Sequence, residues 1–323
     1  MKVVIFCGGL GMRMREYAEN TPKPMVNIGY RPILWHLMKY YAHFGHKEFI
    51  LCLGYRADAI KQYFLKYDEC VSNDFTLSQG GRHLHLFNRD IRDWQITFVD
   101  TGMTSNIGQR LKAANRYLEG EDVFLANYCD GLTDLHLPDL LESFQKQNKI
   151  ASFMCVKPNL TYHQVSINRD GLVGEIKAIM HSDLRVNAGY FVFRRSIFEY
   201  IRDGEELVNE PFQRLIQEKQ LTAFEYNGFF ASMDTFKDKQ QLDDLYASGN
   251  APWEVWKVCR INDRVRSQTA WQASSNSSTA MLCRFFGHNQ FQQPSLAFLN
   301  FRTLESVRSY PRENVYSISN ETN

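Results

Sequence analysis

The sequence predicts the α/β class, with a mostly parallel sheet covered by helices on both faces. Short apolar runs alternate with longer segments whose apolar residues recur at helical spacing, the pattern of parallel strands connected by helices. The runs are continuously apolar rather than alternating, as expected for strands that are buried on both faces. At 323 residues and 44% hydrophobic content, the chain is long enough to bury such a sheet.

The first half of the chain supplies the parallel strands. We expect strands at Val3–Phe6, Phe49–Leu53, Ile96–Val99 and Val123–Ala126. We expect helices at Pro32–Phe44, Ala57–Phe64 and Gln109–Leu118, with Pro32 in a first helical turn. Within residues 71–95, two apolar runs flank Gly80 and Gly81, which predicts a β-hairpin. Such a hairpin would either cover the site or contact another subunit.

The second half is richer in strands and would shape the pocket for a second substrate. Strands are expected at Ala151–Val156, Gln164–Ile167, Leu172–Ile176 and Tyr190–Phe193, and helices at Pro211–Glu218 and Phe236–Ala247. From residue 258 onward the chain has seven Arg, no Lys and no sustained periodicity. We therefore expect one domain over residues 1–257 and a weakly ordered extension over 258–323. An alternative is that the extension comes from a shifted reading frame or a lost stop signal.

Charge and composition exclude several classes of function. A formal net charge of +1 gives no electrostatic argument for nucleic acid or an anionic membrane as a partner. No apolar run approaches the roughly 18 residues of a spanning helix, and the apolar start is too short for a signal peptide. We therefore expect a cytoplasmic protein. The seven cysteines include no CxxC pair, which argues against a disulfide framework or a zinc site.

A glycine-rich loop, Gly8–Met14, follows the first expected strand. Glycines let backbone N–H groups approach phosphate oxygens, and Arg13 adds a forked cation suited to phosphate. Further along, Pro22 and Pro24 clamp Lys23 in an extended segment, which suits a second phosphate contact. Each motif alone also has a simpler interpretation. The loop can be an ordinary tight turn, and Lys23 can be an exposed lysine in a loop.

Two aspartates follow apolar runs in distant parts of the chain. Asp130 comes after the strand at Val123–Ala126, and Asp234 after Phe229-Phe230. Carboxylates that converge in this way can hold Mg²⁺ between triphosphate oxygens. Each aspartate alone is more often a turn residue or a helix cap, and Asp234 or Thr235 is suited to cap the helix from Phe236.

Combined in this order, the motifs resemble those of a known family. The segments that carry the resemblance are Gly8–Arg13, KPMV at Lys23–Val26, PILWHLMKYY at Pro32–Tyr41, DTG at Asp100–Gly102, CDG at Cys129–Gly131, MDT at Met233–Thr235 and APWEVW at Ala251–Trp256. From Met1 to Lys257 the chain resembles the sugar nucleotidylyltransferases, and among them the glucose-1-phosphate cytidylyltransferases. The resemblance implies a Rossmann-like sheet with a strand-rich sugar-binding half.

The resemblance also implies roles for individual residues. The expected nucleotide-binding residues are Phe6, Cys7, Gly8, Gly9, Leu10, Gly11, Met12, Arg13, Lys23, Thr104, Gln109, Arg110 and Cys129. Arg13, Lys23 and Asp130 would be catalytic, Asp130 and Asp234 would bind Mg²⁺, and Lys177 and Asn187 would bind the sugar phosphate. The substrates would be CTP and a sugar-1-phosphate, for which glucose-1-phosphate is the expected choice, and a homo-oligomer is plausible.

Three positions depart from the family pattern. Met12 stands where the family has Thr, and Cys129 where it has Gly. The family's Glu-Lys-Pro motif is replaced by Glu175-Ile176-Lys177, which displaces the lysine by one position. The leading hypothesis is an enzyme that makes a CDP-hexose for surface polysaccharide. The alternatives are uridylyl or thymidylyl transfer to another sugar, and a nucleotide-binding regulatory relative with little catalysis.

Overall fold

The computed structural model describes residues 1–9, 21–159 and 162–257. The expected extension over 258–323 lies outside these residues. The strands are β1 (Val3–Phe6), β2 (Asn27–Ile28), β3 (Arg31–Pro32), β4 (Glu48–Leu53), β5 (Phe75–Ser78), β6 (His83–Leu86), β7 (Gln95–Asp100), β8 (Val123–Tyr128), β9 (Gly131–Thr133), β10 (Ala151–Val156), β11 (His163–Ile167), β12 (Val173–Ala178), β13 (Val186–Arg194), β14 (Leu221–Tyr226) and β15 (Phe230–Ser232). The α-helices are α1 (Ile33–His43), α2 (Ala57–Leu65), α3 (Ile107–Ala114), α4 (Leu137–Gln147), α5 (Glu210–Gln217) and α6 (Phe236–Ala247).

A seven-stranded sheet forms the centre of the described part of the chain. Its strand order is β14-β10-β13-β8-β1-β4-β7. Neighbouring strands are parallel except at β13, which is antiparallel to both β8 and β10. Because β13 alone is reversed, the carboxyl ends of the other six strands lie at one edge of the sheet. The expectation of a mostly parallel sheet is confirmed.

Helices pack on both faces of this sheet, as expected. On β1, Val3 and Ile5 point into one apolar core while Val4 and Phe6 point into the other. The first core also contains buried residues of α1, α2, α4 and α6, and the second contains those of α3 and α5. All four side chains of β1 are buried, which explains why the strand is a continuous apolar run in the sequence.

Several elements differ from the expected ones. Pro32 does not enter the first turn of α1 but precedes it in an extended conformation, because it pairs with Asn27 in the small β2–β3 hairpin. Helix α3 begins two residues earlier than expected, since Asn106 and Gln109 form a reciprocal capping box. No helix was expected at α4, and no strand was expected at β2, β3, β9, β14 or β15.

The β5–β6 hairpin confirms the expected excursion. Asp90, just after it, accepts hydrogen bonds from Lys39 Nζ on α1 at 2.8 Å and from Asn73 Nδ2 at 2.9 Å. These bonds fasten the base of the excursion to α1. Phe75, Leu77 and Leu84 on the hairpin remain exposed.

The last described segment packs against α1 through aromatic residues. Trp253 is fully buried, and its Nε1 donates a hydrogen bond to Nδ1 of His36 at 3.2 Å. The other ring nitrogen of His36 lies 3.0 Å from the carbonyl oxygen of Ile28. An indole N–H only donates, so Nδ1 accepts and Nε2 carries the proton. Burial lowers the pKa of His36 to about 4, so the ring is neutral near neutral pH.

Candidate functional site

The candidate site lies at the edge of the sheet where β1 and β8 end. Cys7 follows β1, and Cys129 and Asp130 follow β8. Asp234 comes to the same place because β15 pairs with β9, and the N–H of Met233 donates to the carbonyl oxygen of Asp130 at 2.9 Å. Strand ends of this kind are where open α/β sheets bind ligands.

Lys23 joins the two aspartates. Its Nζ donates to Oδ2 of Asp130 at 2.6 Å and to Oδ1 of Asp234 at 2.8 Å. The Lys23 side chain is only 14% exposed, so it is not the exposed loop lysine of the simpler interpretation. Burial alone would lower the pKa of this ammonium, but the two carboxylates outweigh burial and raise the pKa above its usual value. Lys23 is therefore a fixed, permanently charged cation at the site.

The local backbone explains why Lys23 and Asp234 are available for this contact. Pro22 is extended, as expected, but Lys23 begins a short 3-10 turn whose Pro24 is buried. The helix α6 is capped by Thr235, whose hydroxyl accepts from the N–H of Asp238. Because Thr235 serves as the cap, the carboxylate of Asp234 is left to bind Lys23.

A cavity of about 520 Å³ opens beside these groups. The expected site residues that line it are Phe6, Gly9, Lys23, Cys129, Asp130, Asn187 and Asp234. The structure thus brings together residues from both halves of the chain. Leu10, Gly11, Met12 and Arg13 lie outside the described residues, so their roles stay predictions.

Arg110 is buried beneath the start of the glycine-rich loop. Its guanidinium donates to the carbonyl oxygens of Gly8 at 3.0 Å and Leu53 at 3.1 Å, and to Oγ1 of Thr101 at 2.6 Å. Gly8 follows β1, Leu53 is the last residue of β4, and Thr101 follows β7. One cation therefore connects the ends of three neighbouring strands. A contact between Arg110 and the nucleotide stays a prediction, while the observed contacts position the loop.

Cys7 and Cys129 lie side by side under the cavity. They continue the register of β1 and β8, in which Phe6 is opposite Tyr128. Burial is the main cause that raises the pKa of the Cys7 thiol well above its usual value, and a hydrogen bond to Cys129 raises it further. Cys7 is therefore a protonated, buried thiol, whereas Cys129 reaches the cavity wall.

The remaining nucleotide-side predictions fall at the start of α3. Gln109 completes the capping box with Asn106: its Oε1 accepts from the N–H of Asn106 at 2.9 Å. Thr104 is exposed in the preceding loop. Ordinary capping is thus present at this helix, and contacts from Thr104 and Gln109 to a nucleotide stay predictions.

The two residues expected to bind the sugar phosphate have different locations. Asn187 lies on the cavity wall, where its Oδ1 accepts from the N–H of Gly189 at 2.8 Å. Lys177 lies on the separate two-stranded sheet β11–β12, paired with Glu175 at 3.7 Å. The structure does not bring Lys177 to the described wall of the cavity at Asp130, and its role stays a prediction.

Asp130 and Asp234 offer oxygen ligands of the kind that a divalent cation takes. The side chains of Asp130 and Asp234 are 24% and 41% exposed. Each carboxylate therefore contacts Lys23 and is also accessible to solvent. Within residues 1–9, 21–159 and 162–257, no group of three or more His, Cys, Asp or Glu is arranged to hold a metal. A cation at Asp130 and Asp234 would therefore take its other ligands from substrate phosphates and water, which is how Mg²⁺ usually binds.

Part of the cavity wall was not expected from the sequence. Tyr128, Ala188, Phe230 and Ser232 also line it. Tyr128 was detectable as an aromatic residue two positions before Asp130. The others come from β13 and the three-residue strand β15, which are brought here by pairing that no local pattern indicates.

Comparisons with known proteins agree with this geometry. The family model described as "Nucleotidyl transferase" matches residues 2–229. The chain is 37% identical to the glucose-1-phosphate cytidylyltransferase of Salmonella typhimurium and 34% identical to the probable enzyme of that name in Bacillus subtilis. These matches cover 80% and 79% of this chain and all of each relative. Among solved structures, HddC from Yersinia pseudotuberculosis is similar, with a TM-score of 0.55 and 22% identity over 76% of this chain and 99% of that one.

Proposed function

Because this chain belongs to the nucleotidyl transferase family, we propose that it transfers a cytidylyl group from CTP to a sugar-1-phosphate, releasing pyrophosphate. The observation that carries the proposal is the contact of Lys23 with Asp130 and Asp234. It sets a cation between two carboxylates at the strand edge where a triphosphate would bind. The relatives that are 34–37% identical are named for CTP and glucose-1-phosphate, which makes these the expected substrates.

The chemistry is an in-line displacement. A phosphate oxygen of the sugar-1-phosphate forms a bond to the α-phosphorus of CTP, the bond from that phosphorus to the bridging oxygen breaks, and pyrophosphate leaves. The attacking oxygen is already ionised, so no side chain has to remove a proton. Catalysis then consists of positioning and charge neutralisation, to which Lys23 contributes a fixed cation. Arg13 would add a second cation.

Mg²⁺ is the cofactor we propose, held by Asp130 and Asp234. When bound, the ion would neutralise charge on the triphosphate. The role of Lys23 follows from its position: it holds the two carboxylates in place and offers positive charge at the same point. The buried cation Arg110 holds the backbone of Gly8, where the loop begins.

Cellular role and assembly extend the proposal. We propose that the protein acts in the cytoplasm and that its CDP-hexose product is used to make surface polysaccharide. No described helix is long and apolar enough to cross a bilayer. Exposed Phe75, Leu77 and Leu84 on the β5–β6 hairpin support a homo-oligomer in which this face is covered.

A pyrophosphate-release assay tests the proposal. CTP, UTP and dTTP are each combined with glucose-1-phosphate and other hexose-1-phosphates in the presence of Mg²⁺. We expect release with CTP and glucose-1-phosphate to exceed that of every other pair. Clear binding of CTP without release from any pair would instead support the regulatory relative, which Cys129 at the cavity wall favours. Release with UTP or dTTP alone would contradict the cytidylyl assignment.

A further inference from the structure

A lysine follows the carboxyl end of β10, in the strand-rich half of the chain that was expected to bind the sugar. Strand β10 runs in the same direction as β8, because both are antiparallel to β13. Its carboxyl end therefore lies at the same edge as Asp130. Lys157 is the first residue after β10, and the buried Pro158 follows it. A residue before proline has a restricted backbone, so the origin of this side chain is well defined.

The space beside Lys157 adjoins the candidate site. A second cavity, of about 380 Å³, is lined by Lys157 and also by Phe230, Ser232 and Asp234, which line the cavity at Asp130 as well. A third, of about 630 Å³, is lined by Lys157 and reaches Arg185. Because the cavities share these walls, the surface runs without interruption from Asp234 to Lys157.

The cations on this side differ in their partners. Arg185 pairs with Glu225 at 2.7 Å and donates to Oδ1 of Asn227. Lys177 pairs with Glu175 and does not line any of these three cavities, which are formed by the described residues. Within the described residues, the structure records no ion pair or hydrogen bond for the ammonium of Lys157. Of the three cations, Lys157 is the one left to bind an external anion.

We propose that Lys157 binds the phosphate of the sugar-1-phosphate, the role that the resemblance assigned to Lys177. The inference rests on the proposed function, since it assigns the acceptor subsite of that reaction. A phosphate that approaches Asp130 and Asp234 is repelled by their negative charge. A cation that lines the same cavity as Asp234 offsets this repulsion and raises the local concentration of the acceptor.

Substitution of two lysines tests the proposal, with one serving as the matched control. In Lys157→Met, we expect the KM for glucose-1-phosphate to rise about tenfold, as for loss of one hydrogen bond to a charged group. The KM for CTP stays near its original value, because Lys157 is on the acceptor side. Lys157→Arg should restore most of the affinity for glucose-1-phosphate, which a merely structural role would not predict. Lys146→Met is the control, because Lys146 is an exposed lysine of α4 that pairs with Glu142, and it should change neither constant.

Two results would overturn the proposal. One is unchanged kinetics in Lys157→Met, and the other is a raised KM for glucose-1-phosphate in Lys177→Met instead. Lys157 is exposed, so thermal melting should show all variants folded alike.

A binding measurement separates failure of this inference from failure of the proposed function. If the unmodified protein releases no pyrophosphate from any pair, the proposed function fails. Titration calorimetry with glucose-1-phosphate and with inorganic phosphate then decides the inference. Weaker binding to Lys157→Met than to the unmodified protein supports it, whereas equal binding, or none to the unmodified protein, overturns it.

Discussion

Two contacts join residues near the start of the chain to residues more than 200 positions later, and they are of opposite character. Lys23 Nζ binds Asp234 at 2.8 Å across 211 residues, and His36 accepts from Trp253 at 3.2 Å across 217 residues. The first contact is between charges, and the Asp234 side chain is 41% exposed. The second is between neutral rings, both buried. Each contact connects motifs that carried the family resemblance.

The difference shows that one family signature contains two kinds of residue. Buried, neutral pairs hold the fold together, whereas charged groups that reach solvent remain able to bind a ligand. PILWH and APWEVW are among the segments that carried the resemblance, yet His36 and Trp253 contact each other rather than the cavity at Asp130. Activity and stability should therefore respond to different substitutions.

The largest effect is expected at the charged contact. Asp130→Asn keeps the shape of the side chain but removes a carboxylate from the proposed magnesium site. We expect kcat to fall about 10³-fold, equivalent to roughly 4 kcal/mol of transition-state stabilisation, with little change in the free energy of unfolding. Pyrophosphate release and urea unfolding measure the two quantities.

Asp139→Asn is the matched control for that substitution. Asp139 is an exposed aspartate on α4 that pairs with His136, away from the cavity. It should retain full activity. Activity of Asp130→Asn within about twofold of the unmodified protein would refute the metal assignment, because the loss of one transition-state contact costs far more.

A smaller effect is expected at the neutral contact, and it depends on pH. The pKa of His36 is about 4 in the folded protein and about 6.5 when exposed, so the unfolded chain binds the proton more tightly. Stability is then complete above about pH 6.5 and falls by about 3 kcal/mol as the pH decreases to about 4. Urea unfolding over this pH range measures the slope.

His36→Gln isolates this contribution. An amide can donate to Ile28 and accept from Trp253 as the neutral ring does, but it does not titrate. We expect the variant to lose part of the pH dependence while its pyrophosphate release at neutral pH changes little. The same slope in both proteins would contradict the assignment, and a large loss of activity would show that the two contacts are not separate in role.

The smallest effect tests whether burial, rather than charge, separates the two roles. Arg110 is charged, but it is only 2% exposed and fully engaged by strand ends. A Cβ on Gly8 would lie 1.9 Å from Nη1 of Arg110, so Gly8→Ala must displace this guanidinium. We expect a loss of about 2 kcal/mol in the free energy of unfolding, measured in urea.

Gly9→Ala provides the comparison. A Cβ at Gly9 meets no heavy atom of the described residues within 4 Å. Its free energy of unfolding should change by less than about 0.5 kcal/mol. If the two substitutions lowered the free energy of unfolding equally, the loss would come from adding a side chain to this loop and not from displacing Arg110.

Much of the fold was predictable, because β1, β4, β8 and β10 are buried on both faces and are read directly as apolar runs. The missed α4 carries the helical spacing Leu137, Leu140 and Phe144, a signal that was present in the sequence. The strands β9 and β15 have three residues each, too few for any periodicity, and they exist only because they pair with each other.

Site residues that follow long strands were predictable from the sequence. Those whose position depends on pairing between distant segments were not. Asp130 follows β8 and was expected at the edge, whereas the meeting of Asp234 with Lys23 depends on a contact across 211 residues. Lys177 stands one position away from the lysine of the family motif, and its place on the β11–β12 ribbon depends on the register of that pairing. Lys157 has a local signal, since it stands between a buried strand and a proline, and Lys23 is likewise followed by a proline.

The span between Lys23 and Asp234 has a consequence for how the protein is made. A ribosome adds roughly 5–20 residues per second, so Lys23 waits on the order of ten to forty seconds for Asp234 to be synthesised. Until Asp234 is synthesised, Asp130 is the one of these two carboxylates that Lys23 can contact. A product released early contains the glycine-rich loop and Asp130 yet lacks a complete pocket. Only chains translated through almost all of the described residues can assemble the proposed catalytic centre.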